Sequence, residues 1–460
     1  MLFPCPTLVF FMLSSVSGFR RDLFSTRTSY FWAHSNVREP QTNEWMSLNV
    51  DGTPCTAQHV STLIRHGAAY PNLAFIRKLS DLQKKIRENL GNIEFSYIDT
   101  WVSRYPKEKA YQLNPLGMNE QFSIGKRFGE RFRNLFEGLK ELSLKFLSSN
   151  KDRTMSSARS FMDGMRDVIQ FADDKELELH SNDSLVRFYE DCPKLEKVTH
   201  DPRLLYELRT FLDSDYIKNI TDSVQRRLGF NDNKLSEDEI SFINLVCAAE
   251  LSSVNSTEWC DMIKDNEREI LEYAHDLEDY YERMYGHPVM GEISCPLVQD
   301  MFSDMDSIVN GGTVHHPGKF YFGHSSTMTS FYAVFGFFKD QPLQANKFKE
   351  LRERDFMGSK AISFSSNIAL ALYSCAPNGG KSINKPIDRK YIIQMFVNEE
   401  KVKIPICGED PCFYGELRNR LSSMIDMCDI ESVCKIEDTN SASCIGSFVC
   451  LLLCIIHGLL

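Results

Sequence analysis

Apolar residues recur along this chain with two different spacings, and each spacing predicts a different secondary structure. The run from Thr56 to Ile64 (TAQHVSTLI) is short, apolar and rich in residues that favour β-structure, so it predicts a buried strand. Similar runs occur late in the chain, at Gly318 to Phe322, Ser363 to Tyr373 and Lys390 to Phe396. The pattern therefore predicts a sheet built from segments on both sides of a long middle region.

Between these runs the apolar residues are spaced as in helices. Residues 114–137 begin with Asn-Pro and predict one helix. Lys151 to Met165 predict a turn that leads into a second helix, and Thr327 to Phe338 predict a third. Alternation of strands and helices of this kind is typical of an α/β fold.

The middle of the chain has a different character. Residues 181–290 contain many acidic residues, few strand signals and amphipathic helical patterns such as Glu267 to Tyr285. We expect a mostly helical inserted domain there. It would separate the two parts, residues 45–180 and 291–436, of one discontinuous α/β domain.

The composition fits a large folded protein and limits its partners. The chain has 460 residues, of which 42% are hydrophobic, enough for a substantial core in one large or two coupled domains. Its net charge of -11 argues against a nucleic-acid partner, which requires clustered Lys and Arg. Any phosphate site must therefore be made locally by a few arginines.

Both ends of the chain carry patterns of processing signals. Residues 1–18 contain a short apolar core, Leu8 to Leu13, and small residues before a plausible cleavage point at Gly18, which predicts a signal peptide for the secretory pathway. Within residues 441–460, Cys444 to Leu460 is apolar to the last residue and small residues precede it, a pattern typical of a GPI-attachment signal. A C-terminal membrane tail is the alternative, and either would anchor the protein at the cell surface.

Ten cysteines lie between these ends, and an even number after a signal peptide predicts disulfides. No C-x-x-C pair is present, so we expect no zinc site. Sequons at Asn182, Asn219 and Asn255 predict glycosylation if the chain is secreted. Three cysteine pairs are close enough in sequence to close short loops: Cys247 with Cys260, Cys407 with Cys412, and Cys428 with Cys434.

The first predicted strand is followed by Arg65-His66-Gly67, so His66 should lie just past its end. Ligands bind at the carboxyl ends of strands in open α/β sheets. Arg153 lies near the start of the second predicted helix, where free backbone N–H groups and the helix dipole favour an anion.

The stretch Cys55 to Pro71 (CTAQHVSTLIRHGAAYP) resembles the beginning of the histidine acid phosphatase family, whose signature is R-H-G-x-R-x-P. Later stretches resemble the multiple inositol polyphosphate phosphatase branch, in order and at compatible spacing over about residues 45–436. They are Arg153 to Gly164 (RTMSSARSFMDG), Ser294 to Phe302 (SCPLVQDMF), Phe320 to Leu343, and Ser366 to Cys375 (SNIALALYSC).

This resemblance implies a fold, a reaction and a set of site residues. The fold is an α/β sandwich domain with an inserted, mostly helical domain. The reaction removes phosphate from inositol polyphosphates through a phosphohistidine and uses no metal or other cofactor. His66 matches the nucleophile, Arg65 and Arg153 match phosphate ligands, and His324 matches the histidine that completes the phosphate pocket.

The sequence departs from the family pattern at three places. Ala69 replaces the second arginine of the signature, and Asn72-Leu73-Ala74 replaces the Thr-x-Lys that commonly follows the proline. Ser325 and Ser326 occupy the positions of the acid that follows the pocket histidine as H-D or H-A-E. A general acid contributes roughly 10²- to 10⁴-fold to a rate. The sequence therefore predicts a phosphatase with weakened activity, or alternatively an inactive phosphate-binding or extracellular scaffold protein of the same fold.

Overall fold

The computed structural model describes residues 20–140, 143–172, 177–230, 235–313, 316–375 and 390–436. The predicted signal peptide (1–18) and C-terminal tail (441–460) lie outside the described residues. Within these segments, no helix combines the length and the apolar character needed to cross a membrane.

One mixed sheet lies at the centre of the described chain. Its order is β4-β3-β5-β2-β6-β7-β8, with β1 paired to β2 and β9 paired to β7. The strands are β1 (Ser47–Val50), β2 (Thr53–Arg65), β3 (Leu144–Ser148), β4 (Leu179–Ser181), β5 (Gly318–Gly323), β6 (Asn367–Cys375), β7 (Tyr391–Val397), β8 (Glu400–Val402) and β9 (Cys412–Phe413).

The central strand β2 confirms the first predicted strand and is longer by three residues at its start and by one at its end. It pairs in parallel with β5 and antiparallel with β6. Its last seven residues are buried, as expected for a strand that is covered on both faces and reads as a continuous apolar run.

Helices before residue 181 include both helices predicted there. They are α1 (Tyr30–Ala33), α2 (Leu73–Asn89), α3 (Tyr97–Thr100), α4 (Pro115–Arg131), α5 (Arg133–Phe136) and α6 (Asp152–Arg166). Asn114 caps the N-terminus of α4, since its side chain accepts a hydrogen bond from Gly117 N at 2.9 Å. Helices α4 and α6 approach closely at Gly125 and Gly164. A Cβ atom on either glycine would lie 2.0 Å from a carbonyl oxygen of the other helix.

The regular elements described between residues 182 and 290 are helical, as predicted. They are α7 (Asp183–Val186), α8 (Pro193–Thr199), α9 (Tyr206–Leu212), α10 (Asp215–Leu228), α11 (Glu237–Val254), α12 (Asp265–Tyr280), a π-helical turn (Tyr281–Tyr285), short 3₁₀ turns, and the start of α13 (Val289–Glu292). Buried side chains of these helices and of one face of the sheet form one continuous core. The boundaries of the two predicted domains stay a prediction.

The remaining helices are α14 (Cys295–Val309), α15 (Ser325–Phe335), α16 (Gly358–Ala361), α17 (Tyr414–Arg420), α18 (Ser422–Ile425) and α19 (Ile430–Cys434). The strand predicted from Ser363 begins only at Asn367. The residues before it turn towards the end of β2, and Ser365 donates its N–H to the His66 carbonyl at 3.1 Å. Ser365 also has a positive φ of 58°, which a strand does not allow.

Five disulfides join the ten cysteines of the described chain. Two of the three pairs that the sequence allows to close short loops are bonded, Cys247–Cys260 and Cys407–Cys412. The third, Cys428 with Cys434, does not form, because Cys428 precedes α19, Cys434 ends it, and each lies against a different element. Cys428 pairs with Cys295 at the start of α14, Cys434 pairs with Cys192 before α8, and Cys55 of β2 pairs with Cys375 of β6.

Candidate active site

The register of the sheet brings two histidines together. Strands β2 and β5 run in parallel and end side by side, with Arg65 opposite Gly323. The next residues, His66 and His324, are therefore neighbours, and their ring centres lie 5.3 Å apart. This is the carboxyl edge of the parallel strands, where the sequence placed His66.

His66 is held in one tautomer. Its Nδ1 lies 2.9 Å from the carbonyl oxygen of Gly67. A carbonyl oxygen can only accept, so Nδ1 carries the proton and Nε2 keeps a free lone pair. Burial lowers the pKa of His66 well below its usual value, and the charges of Arg153 and Arg65 lower it further. The imidazole is thus neutral and nucleophilic.

The loop after His66 is fixed by two neighbouring helices. Gly67 donates its N–H to Ser157 Oγ of α6 at 3.0 Å. A Cβ atom at Gly67 would lie 2.6 Å from the carbonyl oxygen of Gly117 in α4, so only glycine fits there. Ala68 donates its N–H to Glu120 Oε2, also in α4, at 3.1 Å.

Glu120 is a buried carboxylate that the sequence reasoning missed. Besides Ala68, it accepts hydrogen bonds from Tyr30 N at 2.8 Å and from the hydroxyls of Ser29 and Ser365. Burial raises the pKa of Glu120, and these hydrogen bonds oppose that rise. The carboxylate thus joins the N-terminal segment, the His66 loop and the segment before β6.

The imidazole of His324 is also neutral, and both of its ring nitrogens have hydrogen-bond partners. Its Nδ1 accepts from Arg153 Nη2 at 3.2 Å, since a guanidinium can only donate. The proton therefore lies on Nε2, 3.0 Å from Ser149 Oγ, which in turn lies 2.6 Å from Thr154 Oγ1. Burial, followed by the charge of Arg153, lowers the pKa of His324 to about 2.

The guanidinium of Arg65 holds neighbouring backbone segments by hydrogen bonds and also lines the active-site cavity. Its Nη1 donates to the carbonyl oxygens of Thr26 and Ile362, at 2.5 and 2.6 Å. Its Cζ lies 4.7 Å from the centre of the Phe364 ring. Burial lowers the pKa of Arg65 to about 9, a change that Asp279 opposes.

A cavity of about 310 Å³ joins these residues, a size typical of small-molecule sites. All four residues matched to the family's site line it, together with Ser325 and Ser326 at the start of α15. Among the described residues, the lining includes three arginines and no carboxylate. It consists of Thr26, Arg27, Arg65, His66, Ala69, Tyr70, Pro71, Asn72, Tyr111, Arg153, Tyr189, His324, Ser325, Ser326 and Phe364.

Three helices begin at this cavity. Asn72 caps α2 by accepting from Phe75 N at 2.7 Å, Arg153 lies in the first turn of α6, and His324 precedes α15. Helix N-termini carry partial positive charge, so they add to the charge of the arginines. The lining of the cavity is therefore locally positive on a protein whose net charge is negative.

A smaller cavity of about 130 Å³ adjoins the first and shares Tyr189 and Ser326 with it. Glu282, in the π-helical turn, is the carboxylate among its described lining residues. Burial raises the pKa of Glu282, and the neighbouring Arg283 opposes this. In the described segments, this site included, no group of three or more His, Cys, Asp or Glu side chains could hold a metal ion.

Residues 57–398 match the family model of the histidine phosphatase superfamily, branch 2. Multiple inositol polyphosphate phosphatase 1 of Gallus gallus is 26% identical over 446 residues, covering 95% of this chain and 96% of that protein. The Homo sapiens protein of the same name is 26% identical over 444 residues, covering 91% and 90%.

Solved structures share the fold. The Bifidobacterium longum multiple inositol polyphosphate phosphatase in complex with inositol hexasulfate has a TM-score of 0.66 at 15% identity, covering 89% of this chain and 98% of that one. A phytase from D. castellii has a TM-score of 0.67 at 16% identity, covering 90% and 87%.

Proposed function

The chain belongs to branch 2 of the histidine phosphatase superfamily, and on this basis we propose that it hydrolyses phosphomonoesters of inositol polyphosphates through a phosphohistidine at His66. One observation carries the proposal. The Gly67 carbonyl fixes the proton of a neutral His66 on Nδ1, which leaves Nε2 as the nucleophile in a cavity lined by arginines.

The chemistry proceeds in two displacements at phosphorus. The Nε2 lone pair of His66 forms a bond to phosphorus as the ester P–O bond breaks, and the leaving oxygen takes that electron pair. Water then attacks the phosphohistidine, which releases inorganic phosphate and restores the neutral imidazole. Arg65 and Arg153 stabilise the charge on the phosphoryl oxygens, because planar guanidiniums match them in pairs.

His324 acts here by orienting Arg153. Its Nδ1 accepts from the guanidinium, while Ser149 holds the opposite ring nitrogen. Because the imidazole is neutral, it adds no charge that would compete with the arginines for the phosphoryl group.

Inositol polyphosphates are the substrate class that fits this site best. Three arginines and three helix N-termini surround the cavity, and the described lining residues include no carboxylate that would repel a polyanion. Curated relatives of similar length carry the name multiple inositol polyphosphate phosphatase, and a solved structure of that name contains inositol hexasulfate.

The proton donor for the leaving group is the weak part of this site. Ser325 and Ser326 lie where the family has its acid, and a serine hydroxyl donates a proton poorly. An inositol alkoxide leaves badly unless it is protonated, whereas an aryl oxide needs little help. The activity should therefore be weakened on inositol phosphates and less so on aryl phosphates.

A phosphate-binding protein without turnover is the second candidate function. The specific observation that favours it is the absence of a carboxylate from the described lining of the cavity. Under this second function, the arginines would bind a phosphate group that is not transferred to His66, and the fold of the chain would serve as a binding scaffold.

The disulfides indicate a secreted or lumenal protein. We propose beyond this that residues 1–18 are a signal peptide, that residues 441–460 provide a GPI signal or membrane tail, and that the sequons carry glycans. Asn219 and Asn255 are exposed, whereas Asn182 is partly buried and caps α7 by accepting from Leu185 N at 3.3 Å.

Trapping the covalent intermediate tests this function. The group that protonates the leaving oxygen normally also deprotonates the attacking water, so its loss should slow the second step on aryl esters. With p-nitrophenyl phosphate we expect a burst of nitrophenol and a phosphoryl label on the peptide containing His66. The label should be stable in alkali, lost in acid and absent from His66→Ala. Phosphate binding without any burst or turnover would favour the second candidate function.

A further inference from the structure

Arg27 enters the cavity from a part of the chain that lies far from the family signature. It ends the 3₁₀ turn Ser25–Arg27 in the polar segment before β1, and it lines the same cavity as His66, Arg65 and Arg153. Ala69 stands at the position of the second signature arginine, and Arg27 is the third arginine of the described lining beside Arg65 and Arg153.

The guanidinium of Arg27 has no counter-ion among the described residues. None of the ion pairs or side-chain hydrogen bonds there involves it, and its Cζ lies over the ring of Phe75, 5.2 Å from the centre. Burial lowers the pKa of Arg27. A partly buried guanidinium without a carboxylate is costly, and an anionic ligand in the cavity would remove that cost.

The backbone around Arg27 is held from several directions. Arg65 Nη1 donates to the carbonyl oxygen of Thr26, and Arg27 N donates to Phe24 O at 2.9 Å. Ser25 N donates to the carboxylate of Glu272 in α12. The Thr28 carbonyl accepts from Phe364 N at 3.0 Å. These contacts fix the main chain from which the Arg27 side chain extends to line the cavity, and a fixed main chain lowers the cost of ordering that side chain around a ligand.

The guanidinium of Arg27 lies beside the ring of Phe75 rather than beside Nε2, the nucleophilic nitrogen of His66. Phe75, which it covers, is in the first turn of α2 and packs against Phe242 of α11 at 4.7 Å between ring centres. The arginines that lower the pKa of His66 are Arg153 and Arg65, whereas the charge of Arg27 acts on Arg65. Its guanidinium therefore lies beside the first turn of α2, the helix that Asn72 caps.

We propose that Arg27 binds a second phosphate group of a polyphosphorylated substrate while another phosphate lies at His66. This proposal rests on the proposed function and deepens it, since it makes Arg27 a determinant of selectivity for polyphosphates over monophosphates. A ligand with a single phosphate binds at Arg65 and Arg153 and gains little from Arg27. A ligand with several phosphates contacts all three arginines of the same cavity at once.

Equilibrium binding to the full-length protein tests this assignment. The His66→Ala background prevents turnover, and isothermal titration is carried out with inositol hexakisphosphate and with inorganic phosphate. We expect Arg27→Ala to weaken hexakisphosphate binding by about tenfold or more and inorganic phosphate binding by about twofold or less. Arg27→Lys, which keeps the charge, should recover part of the loss. The exposed Arg203→Ala is the matched control and should change neither affinity.

Two results would overturn the assignment. An equal loss for both ligands, in Arg27→Lys as well as in Arg27→Ala, would mean that Arg27 binds the transferred phosphoryl group or only supports the fold. An unchanged hexakisphosphate affinity in Arg27→Ala would mean that it binds no phosphate. Failure of the proposed function looks different, because the wild-type protein would then show no His66-dependent turnover whatever Arg27 does.

Discussion

The Nδ1–H of His66 donates to the carbonyl oxygen of Gly67, 2.9 Å away. This hydrogen bond keeps the proton of the proposed nucleophile on Nδ1. The loop that follows His66 is itself held by hydrogen bonds to Ser157 and Glu120. A rigid loop thus fixes both the position and the tautomer of His66. The consequences of that arrangement can be measured without a substrate.

The first consequence concerns pH. Because burial, then Arg153 and Arg65, depress the pKa of His66, its imidazole should stay neutral in acid. In ¹³C NMR of histidine-labelled protein, with His66→Ala for assignment, we expect no protonation of His66 between about pH 7 and about pH 5. A titration midpoint near about pH 6.5 would contradict the depressed pKa.

The lowered pKa values of His66 and His324 also determine how the free energy of unfolding changes with pH. The unfolded chain binds protons at His66 and His324 with an ordinary histidine pKa of 6.5, whereas the folded pKa of His324 is about 2. Their contribution to the free energy of unfolding is therefore present above pH 6.5 and is lost as the pH falls towards the folded pKa values. Urea unfolding of wild type and His324→Gln should converge as the pH decreases.

Glu120 should be needed for the stability of the His66 loop. The carboxylate of Glu120 accepts hydrogen bonds from the N–H groups of Ala68 and Tyr30 and from two hydroxyls. In Glu120→Gln the amide NH₂ replaces one of the accepting oxygens, so buried donors are left unpaired. We expect the free energy of unfolding to fall by about 1 to 3 kcal/mol. Chemical denaturation measures this, and the exposed change Glu190→Gln serves as the control. An equal effect of the two substitutions would argue against an organising role for Glu120.

Restoring the missing acid should restore activity on alkyl esters. Ser326→Glu recreates the H-A-E spacing of the family beside a cavity that it already lines. We expect its rate on inositol hexakisphosphate to rise by about 10²-fold, whereas the burst phase with p-nitrophenyl phosphate, which reports the first step alone, should change little. Ser326→Gln is the matched control without the proton. If both variants behave alike, the absence of a donor does not limit the reaction.

The disulfide map can be read directly by mass spectrometry. Non-reducing peptide mapping should recover Cys192 with Cys434 and Cys295 with Cys428, which link distant parts of the chain. Each closes a loop of more than a hundred residues, so replacing either pair by serines should lower stability by about 2 to 5 kcal/mol. Recovery of a Cys428–Cys434 peptide would contradict this connectivity.

The sequence predicted the parts of the site that follow from local pattern. His66 and His324 each follow an apolar run, and parallel pairing of those two runs is enough to bring them together. Arg153 was placed at a helix start by the turn before α6. These residues also belong to segments that resemble the family, so two kinds of signal agreed.

Other parts depend on tertiary contacts that no local pattern contains. Arg27 lies in a polar segment without periodicity, and only the fold shows that this segment crosses the cavity. Glu120 has the same appearance as the other polar residues of α4, although it is fully buried. The partners of Cys428 and Cys434 depend on where α14 and α8 lie in space.

Phosphate release by the full-length protein, made in an oxidising host, tests the central claim most directly. Wild type and His66→Ala are compared on inositol hexakisphosphate and p-nitrophenyl phosphate from acid to neutral pH. We expect turnover that disappears in His66→Ala and that strongly favours the aryl ester. No His66-dependent turnover on either substrate would contradict a phosphohistidine enzyme and leave a phosphate-binding protein.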